Sequence, residues 1–380
     1  MKKSFVNIWF LIIIVVALGF FIKNVIDTFN IDETLLTAEE YTSLYYYNQL
    51  NEEQKIKYIK IDQEIQKLTK DIHFGFVKNV AVKSDVTVVL SAIYNDRPEY
   101  YYLPQDYNVK SIKLGPVEYT ILKLNYTVAD KKEKDKKDLE LNNIIEQIVH
   151  ESLHDKMTDF EKEVALHDAL LKRVSYYNFS DIEKIPVEKH TSYEALVRGN
   201  AVCDGISKAY MMLLEKAGIY SIMITGKIGE VAHAWNVVRL DNEYYHVDAT
   251  SNTTEVNGAK AVIHRYFNLS DEQLMLTHTI DGEFDIIKCE GTKYNFYTHN
   301  DYQIQYTESL RSKLIKIINK QLSSPVIEFR MDSLYSIQTL LEELYYMNFN
   351  GWEDSKQTTV SYHKLEDIFV FENKNRKRIY

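Results

Sequence analysis

The sequence predicts an α+β fold, and three patterns carry that reading. After a turn at Gly199 and Asn200, apolar residues Ile206, Ala209, Tyr210, Leu213, Leu214 and Ala217 recur at helical spacing and stop at Gly218. An Ile-rich run from Tyr220 to Gly226 and the run His233–Leu240 then read as strands. Asp241 and Asn242 make the short turn into a returning strand, Glu243–Thr250. Upstream, residues 117–128 alternate, with Leu122, Leu124, Tyr126 and Val128 on one face and Lys123, Asn125 and Thr127 on the other. That is the period of a half-buried strand.

The 380 residues, 45% hydrophobic and 26% charged, suffice for two or three domains with real cores. A formal charge of −10 argues against a nucleic-acid partner. Two cysteines cannot build a disulfide framework. With only 12 Gly and 5 Pro, long disordered linkers are not expected.

Taken in order, the chain opens with Lys2 and Lys3 and an apolar run from Phe5 to Ile22. Such a run spans roughly 27 Å as a helix, close to the hydrocarbon thickness of a bilayer. Residues 18–26 offer no small-x-small cleavage site, so 1–26 is expected to be an uncleaved single-pass anchor. Lysines before the run and acids after it place the N-terminus in the cytoplasm and the rest outside the cell membrane. Residues 27–135 are expected to form an accessory α/β region. In it, Asn51 and Gln54 cap a helix carrying Tyr58, Ile61, Ile65 and Leu68 on one face, and a second helix covers Asp85–Tyr94. The mixed-sign run Ala129–Asp138 reads as a solvated loop or exposed helix start before a helix at Leu141–Leu153. Thr158 with Glu161 makes a capping box for the helix of Leu166 and Leu170, inside an expected catalytic domain at 136–298. Within and beyond it, strands are expected at Phe284–Cys289 and Tyr294–Thr298. The region 299–380 should then add helices at Tyr306–Leu322 and Leu334–Tyr346, with strands at Val326–Arg330, Thr358–His363 and Asp367–Phe371.

The chemistry concentrates between His190 and Thr250. Cys203 sits in the first turn of the amphipathic helix, where unpaired N–H groups and the helix dipole favour a thiolate. His233 opens one strand of the hairpin; on the other, His246 and Asp248 share a face. If His233 and Asp248 neighbour each other, Asp248 accepts from one ring nitrogen while the other faces the thiol, which is a nucleophile, base and orienter arrangement.

The runs GNAVCDGISKAYMMLLEKAGI, HAWN and YYHVDAT together resemble the transglutaminase-like superfamily. The likeness extends upstream through Thr158–Asn178 and downstream through RYFNLSDEQLMLTH, and SAIYNDRPEYYYL looks like an element that precedes the thiol core in bacterial relatives. The resemblance implies a papain-like core in which a helix carrying the cysteine lies on an antiparallel sheet carrying the histidine and aspartate. It implies Cys203 as nucleophile, His233 as base and acid, and Asp248 as the group that holds the imidazole. Many relatives place a tryptophan after Asp-x-Thr; here Ser251 and Asn252 follow. The activity implied is attack on amide bonds of proteins or peptides through a thioester, as peptidase, deamidase or transglutaminase, with cell-wall peptide among the candidate substrates. The competing class is a membrane-anchored scaffold that keeps the fold without catalysis, against which an intact Cys, His and Asp trio argues. No cofactor or metal is expected: His246 and Cys289 invite a zinc site with Cys203 and His233, but no Cys-x-x-Cys or His-x-x-x-His pair is present. Trp235 and Asn236 stand beside the histidine, as site lining or core packing.

Overall fold

The computed structural model describes residues 36–77, 82–103, 107–114, 117–179, 185–256, 259–307, 309–346, 360–363 and 367–372. The apolar run read as a membrane anchor, 1–26, lies outside them. Among the described residues no helix is long and apolar enough to cross a membrane. The chain divides into two compact units, one ending at Asp138 and the other beginning at Leu139.

In the first unit, two short helices at Glu39–Thr42 and Tyr45–Gln49 precede α1 (Glu52–Gln66). Asn51 caps α1 as expected: its side chain accepts from the Gln54 N–H at 3.0 Å, and Gln54 returns the bond to Asn51. Tyr58, Ile61 and Ile65 are buried along one face. The helix α2 (Val82–Asp96) ends on a buried carboxylate, for Asp96 accepts from the N–H groups of Tyr46 and Tyr47 and from the Tyr58 hydroxyl. Strands β1 (Asp71–Val77), β2 (Tyr107–Leu114) and β3 (Val117–Leu124) form an antiparallel sheet with β3 central. Leu122 and Leu124 face inward, but Tyr126 and Val128 lie past the strand's end.

The mixed-sign run is helical from its start, since α3 covers Lys131–Ser152. Asp130 accepts from the Glu133 N–H, and ion pairs Lys137–Glu133 (3.0 Å) and Lys134–Asp138 (2.7 Å) fall at i,i+4. Interleaved charges at that spacing support a helix instead of a loop.

The second unit is built on a five-stranded sheet in the order β11-β8-β7-β6-β12, antiparallel at every pairing. Its members are β6 (Ser221–Ile228), β7 (Val231–Leu240), β8 (Glu243–Val247), β11 (Phe267–Leu269) and β12 (His278–Ile280). Asp241 and Asn242, both at positive φ, make the tight β7–β8 turn that their residue types tolerate. The return strand is shorter than expected, because at Asp248 the chain turns away and its N–H bonds to the Tyr266 carbonyl. Helix α4 (Asp159–Arg173), capped by the expected Thr158–Glu161 box, precedes the short strands β4 (Ser175–Tyr176) and β5 (Asn200–Ala201), which pair in parallel. Helix α5 (Cys203–Lys216) follows, and β9 (Thr253–Val256) and β10 (Ala259–Val262) form a separate hairpin.

The C-terminal part places α6 (Leu310–Lys320) and α7 (Ile337–Tyr346) with a four-stranded sheet. That sheet holds β13 (Gln303–Ile304), β14 (Val326–Met331), β15 (Val360–His363) and β16 (Ile368–Glu372). Leu314, Ile317, Phe329 and Phe371 fill its core. Glu328 on β14 joins it to the larger sheet's surroundings: it accepts from the His264 N–H, from His264 Nδ1 at 2.6 Å and from the Tyr297 hydroxyl. Two expected strands are absent. Residues 284–289 have no ladder partner, since Cys289 is tied instead to Asp271 by two bonds, and Phe296–His299 is a short helix capped by Asn295.

One buried group sets a pH dependence. Glu163 on α4 is fully buried, and its Oε2 accepts from Asn268 Nδ2 at 2.8 Å, while Glu163 Oε1 and Asn268 Oδ1 have no partner. Burial, only partly offset by the Asn268 bond, pushes this carboxyl up to about 8. A proton on Glu163 removes the charge that burial disfavours. The folded state therefore holds a proton that the unfolded chain releases near 4.5, so stability falls as pH rises from there towards 8. Glu163→Gln should flatten that slope in thermal melts. At pH 8 it should melt roughly 2–4 °C above the parent, the shift that about 1 kcal/mol gives a domain of this size.

Candidate active site

Cys203 opens α5, where the first turn of a helix leaves N–H groups without intrahelical partners beside the sulfur. Glycine makes the approach possible: a Cβ on Gly205 would meet the Lys189 carbonyl at 2.7 Å. Asp204 is held by His190 Nδ1 at 2.9 Å and by the Gly205 N–H at 3.0 Å. Helix and sheet are tied one turn further on. Ser207 Oγ donates to the Ala234 carbonyl at 3.2 Å, and Asn236 Nδ2 donates to the Ser207 carbonyl at 3.1 Å. Those two bonds set the strand carrying His233 against the helix carrying Cys203.

The β7–β8 register pairs Asn236 with Val247, so Asp248 falls one step beyond, diagonal to His233 and on its face. His233 Nε2 lies 2.9 Å from Asp248 Oδ2. The Cys203 thiol acts on the same ring, adding to the rise in its pKa. With Nε2 on the carboxylate, Nδ1 is the nitrogen left for the thiol. The three residues named from sequence thus meet at one imidazole. Burial by itself would lower the His233 pKa, but the Asp248 charge and hydrogen bond, with Cys203 beyond them, push it up to about 10. Burial would likewise raise Asp248, yet His233 and His278 hold it well below the usual carboxylate range.

Trp235 and His246 support this group. The Trp235 ring stacks on His233 with centroids 6.2 Å apart and planes at 19°. Its Nε1 donates to His246 Nδ1 at 3.1 Å, and His246 Nε2 donates to Asp271 Oδ1 at 2.8 Å. Burial keeps His246 neutral, consistent with the tautomer these bonds require. Asn236 faces inward as a tie to α5.

Two side chains at the site carried no role in the sequence reading. His278 on β12 places Nε2 3.3 Å from Asp248 Oδ2. Tyr176 pairs across β4–β5 with Ala201, two residues before the nucleophile candidate. Burial, then the charges of Cys203, Asp204 and Asp248, push its hydroxyl up to about 12. Both lie inside stretches that resemble the family, at Thr158–Asn178 and Arg265–His278, but no spacing rule separates them from neighbouring histidines and tyrosines.

The imagined zinc set of Cys203, His233, His246 and Cys289 is not assembled. Among the described residues, His246 and Cys289 group with Asp271, His233 with Asp248 and His278, and His167 with Asp168 and His264. Hydrogen bonds account for the ring nitrogens in the first and last groups. Asn252 Oδ1 accepts from the Tyr266 N–H, so its Nδ2 faces His167 Nε2, and Nδ1–H of His167 points to Asp168. His264 spends one nitrogen on Asp168 and the other on Glu328, as an imidazolium between two carboxylates. Such rings present no lone pair to a metal.

Residues 146–249 match the profile of the transglutaminase-like superfamily, a segment that contains Cys203, His233 and Asp248. Among solved structures, a TGase aligns at 15% identity over 63% of this chain and 59% of its own, with a TM-score of 0.29. A candidate cysteine protease from Cytophaga hutchinsonii aligns at 12% identity over 39% of this chain and 66% of its own, with a TM-score of 0.24. A candidate protease from Parabacteroides distasonis aligns at 13% identity over 41% and 42%, with a TM-score of 0.19. This chain thus spans less than two thirds of each of the three. No curated protein matches the sequence.

The two thiols should differ sharply in reactivity. Cys203 is partly exposed, whereas Cys289 is buried and its thiol is pushed far up by burial and by the Asp271 charge. Iodoacetamide at neutral pH should therefore modify a single cysteine of the folded protein, identified by peptide mass as Cys203. Cys289 should react only in denaturant.

Proposed function

We propose that the transglutaminase-like core of this chain is a cysteine enzyme that cleaves or exchanges amide bonds of protein or peptide substrates. The Cys203 sulfur attacks the amide carbonyl carbon, forming an S–C bond as the carbonyl oxygen takes up charge. His233 then gives its Nδ1 proton to the leaving nitrogen as the C–N bond breaks, which leaves a thioester on Cys203 and an amine product. Water as the second acceptor makes the reaction a hydrolysis; a primary amine makes it a transfer. In either case His233 takes the proton of the incoming nucleophile, and Asp248 holds the imidazolium. The observation that carries this reading is the His233 ring, hydrogen-bonded to Asp248 at 2.9 Å and under the influence of the Cys203 thiol, with each partner delivered by a different element. The Cys203 backbone N–H, at the start of α5, is the first candidate donor to the developing oxyanion. The site would work outside the cell if residues 1–26 anchor the chain with the N-terminus inside, so envelope proteins and wall peptides are the substrates to try.

A glutamine-containing peptide assayed for ammonia release, for chain cleavage and for incorporation of a fluorescent primary amine distinguishes deamidase, peptidase and transglutaminase. Cys203→Ala should abolish whichever signal appears. Asp248→Asn should reduce turnover by about 10³-fold or more while Cys203 still alkylates, because the pose and tautomer of the ring are lost and the thiol is not. His233→Ala should be far more damaging than His246→Ala; the reverse order would refute the assignment of the base. Since the thiolate–imidazolium pair needs a protonated His233, activity should fall as pH rises through about 10.

A further inference from the structure

We infer that His278 is a positioning residue that shares the Asp248 carboxylate with His233 and fixes it for the proton transfers. The inference rests on the triad reading above and adds a fourth member to it. Asp248 is wholly buried, and a buried carboxylate must have its lone pairs met. Three donors meet them here: His233 and His278 at Oδ2, from 2.9 and 3.3 Å, and the Ser251 N–H at Oδ1 from 3.2 Å. Because the carboxylate offers only lone pairs, His278 must carry a proton on Nε2. Thr277 Oγ1 lies 2.8 Å from Nδ1 and 3.3 Å from the Leu274 carbonyl, and its one hydroxyl proton, turned to the nearer of these two acceptors, holds that tautomer.

The fold goes to some length to bring His278 there. It belongs to β12, an edge strand, and reaches the site only because β12 presses closely on β6. At the closest point Gly226 pairs with His233 on one side and with Ile280 on the other, and a Cβ there would lie 2.0 Å from the Thr279 carbonyl. Edge contacts with Trp235 and Tyr266, both at 5.2 Å between centroids, then orient the His278 ring. With Ser251 at one oxygen and His278 at the other, the carboxylate plane cannot swing, and the direction of its bond to His233 is set.

The test reads Cys203 itself and so needs no substrate. In the full-length protein, the rate of Cys203 alkylation by iodoacetamide is measured from pH 5 to 9 for the parent, His233→Ala, His278→Leu and His278→Gln, with a thermal melt of each. Gln carries an N–H close to the place of Nε2, whereas Leu fills the space without one. Loss of positioning should slow the Leu variant at pH 6 by about tenfold and move its profile about one pH unit upward. The Gln variant should stay within about threefold of the parent. If both variants keep the parent profile and only their melting temperatures drop, His278 is a packing residue and the inference is overturned. It is equally overturned if Gln proves as slow as Leu, because N–H donation is then not what matters. A parent rate no faster than that of His233→Ala would remove the triad reading itself, and the role of His278 with it.

Discussion

The second unit is organised around a buried negative charge. Asp248 lies at the end of β8, without solvent, and stripping a carboxylate of water costs several kcal/mol unless charge and hydrogen bonds replace the lost hydration. The replacements come from β7 through His233, from β12 through His278, and from the turn after β8 through the Ser251 N–H. Edge strand, central strand and loop must therefore all be in register before the charge is tolerated. A group whose parts satisfy one another in this way is held in one geometry.

A second constraint couples this group to the thiol. Helix α5 could slide along the sheet if apolar packing alone held it, since hydrophobic contact is non-directional. Ser207 and Asn236 remove that freedom, each side chain donating to a backbone carbonyl of the other element. Outside the immediate site the same device recurs. His264, bridging Asp168 and Glu328, ties the C-terminal sheet to α4 through a protonated ring that burial alone would neutralise, and the two carboxylates push it up to about 10. The C-terminal region thereby bears on α4, which lies within the segment that matches the transglutaminase-like superfamily.

Much of the local structure was legible from residue types. Capping boxes at Asn51 and Thr158, the Asp241–Asn242 turn, the helix ending near Gly218 and the strand alternation at Leu122 and Leu124 all follow from short-range rules, and the structure has them. The misreadings arose where a short-range pattern was overruled. Residues 284–289 look like a strand but have no partner once Asp271 takes the Cys289 backbone. For the charged run after Ala129 the structure takes the second of the two readings, an exposed helix start, because its opposite signs fall four apart.

Sequence alone determined the candidate trio: a cysteine at a helix start, a histidine on one strand, an aspartate at the end of the next, and their order along the chain. These are consequences of spacing within about fifty residues, where helix and strand periods dictate which side chains share a face. Only the tertiary structure decided which further groups attend them. His278 reaches Asp248 from a strand thirty residues downstream because Gly226 admits it, Tyr176 pairs with Ala201 two residues before Cys203 on a strand laid in parallel, and His246 is set as the acceptor for Trp235. Such partners are chosen by which elements pack together, and no local period encodes that choice.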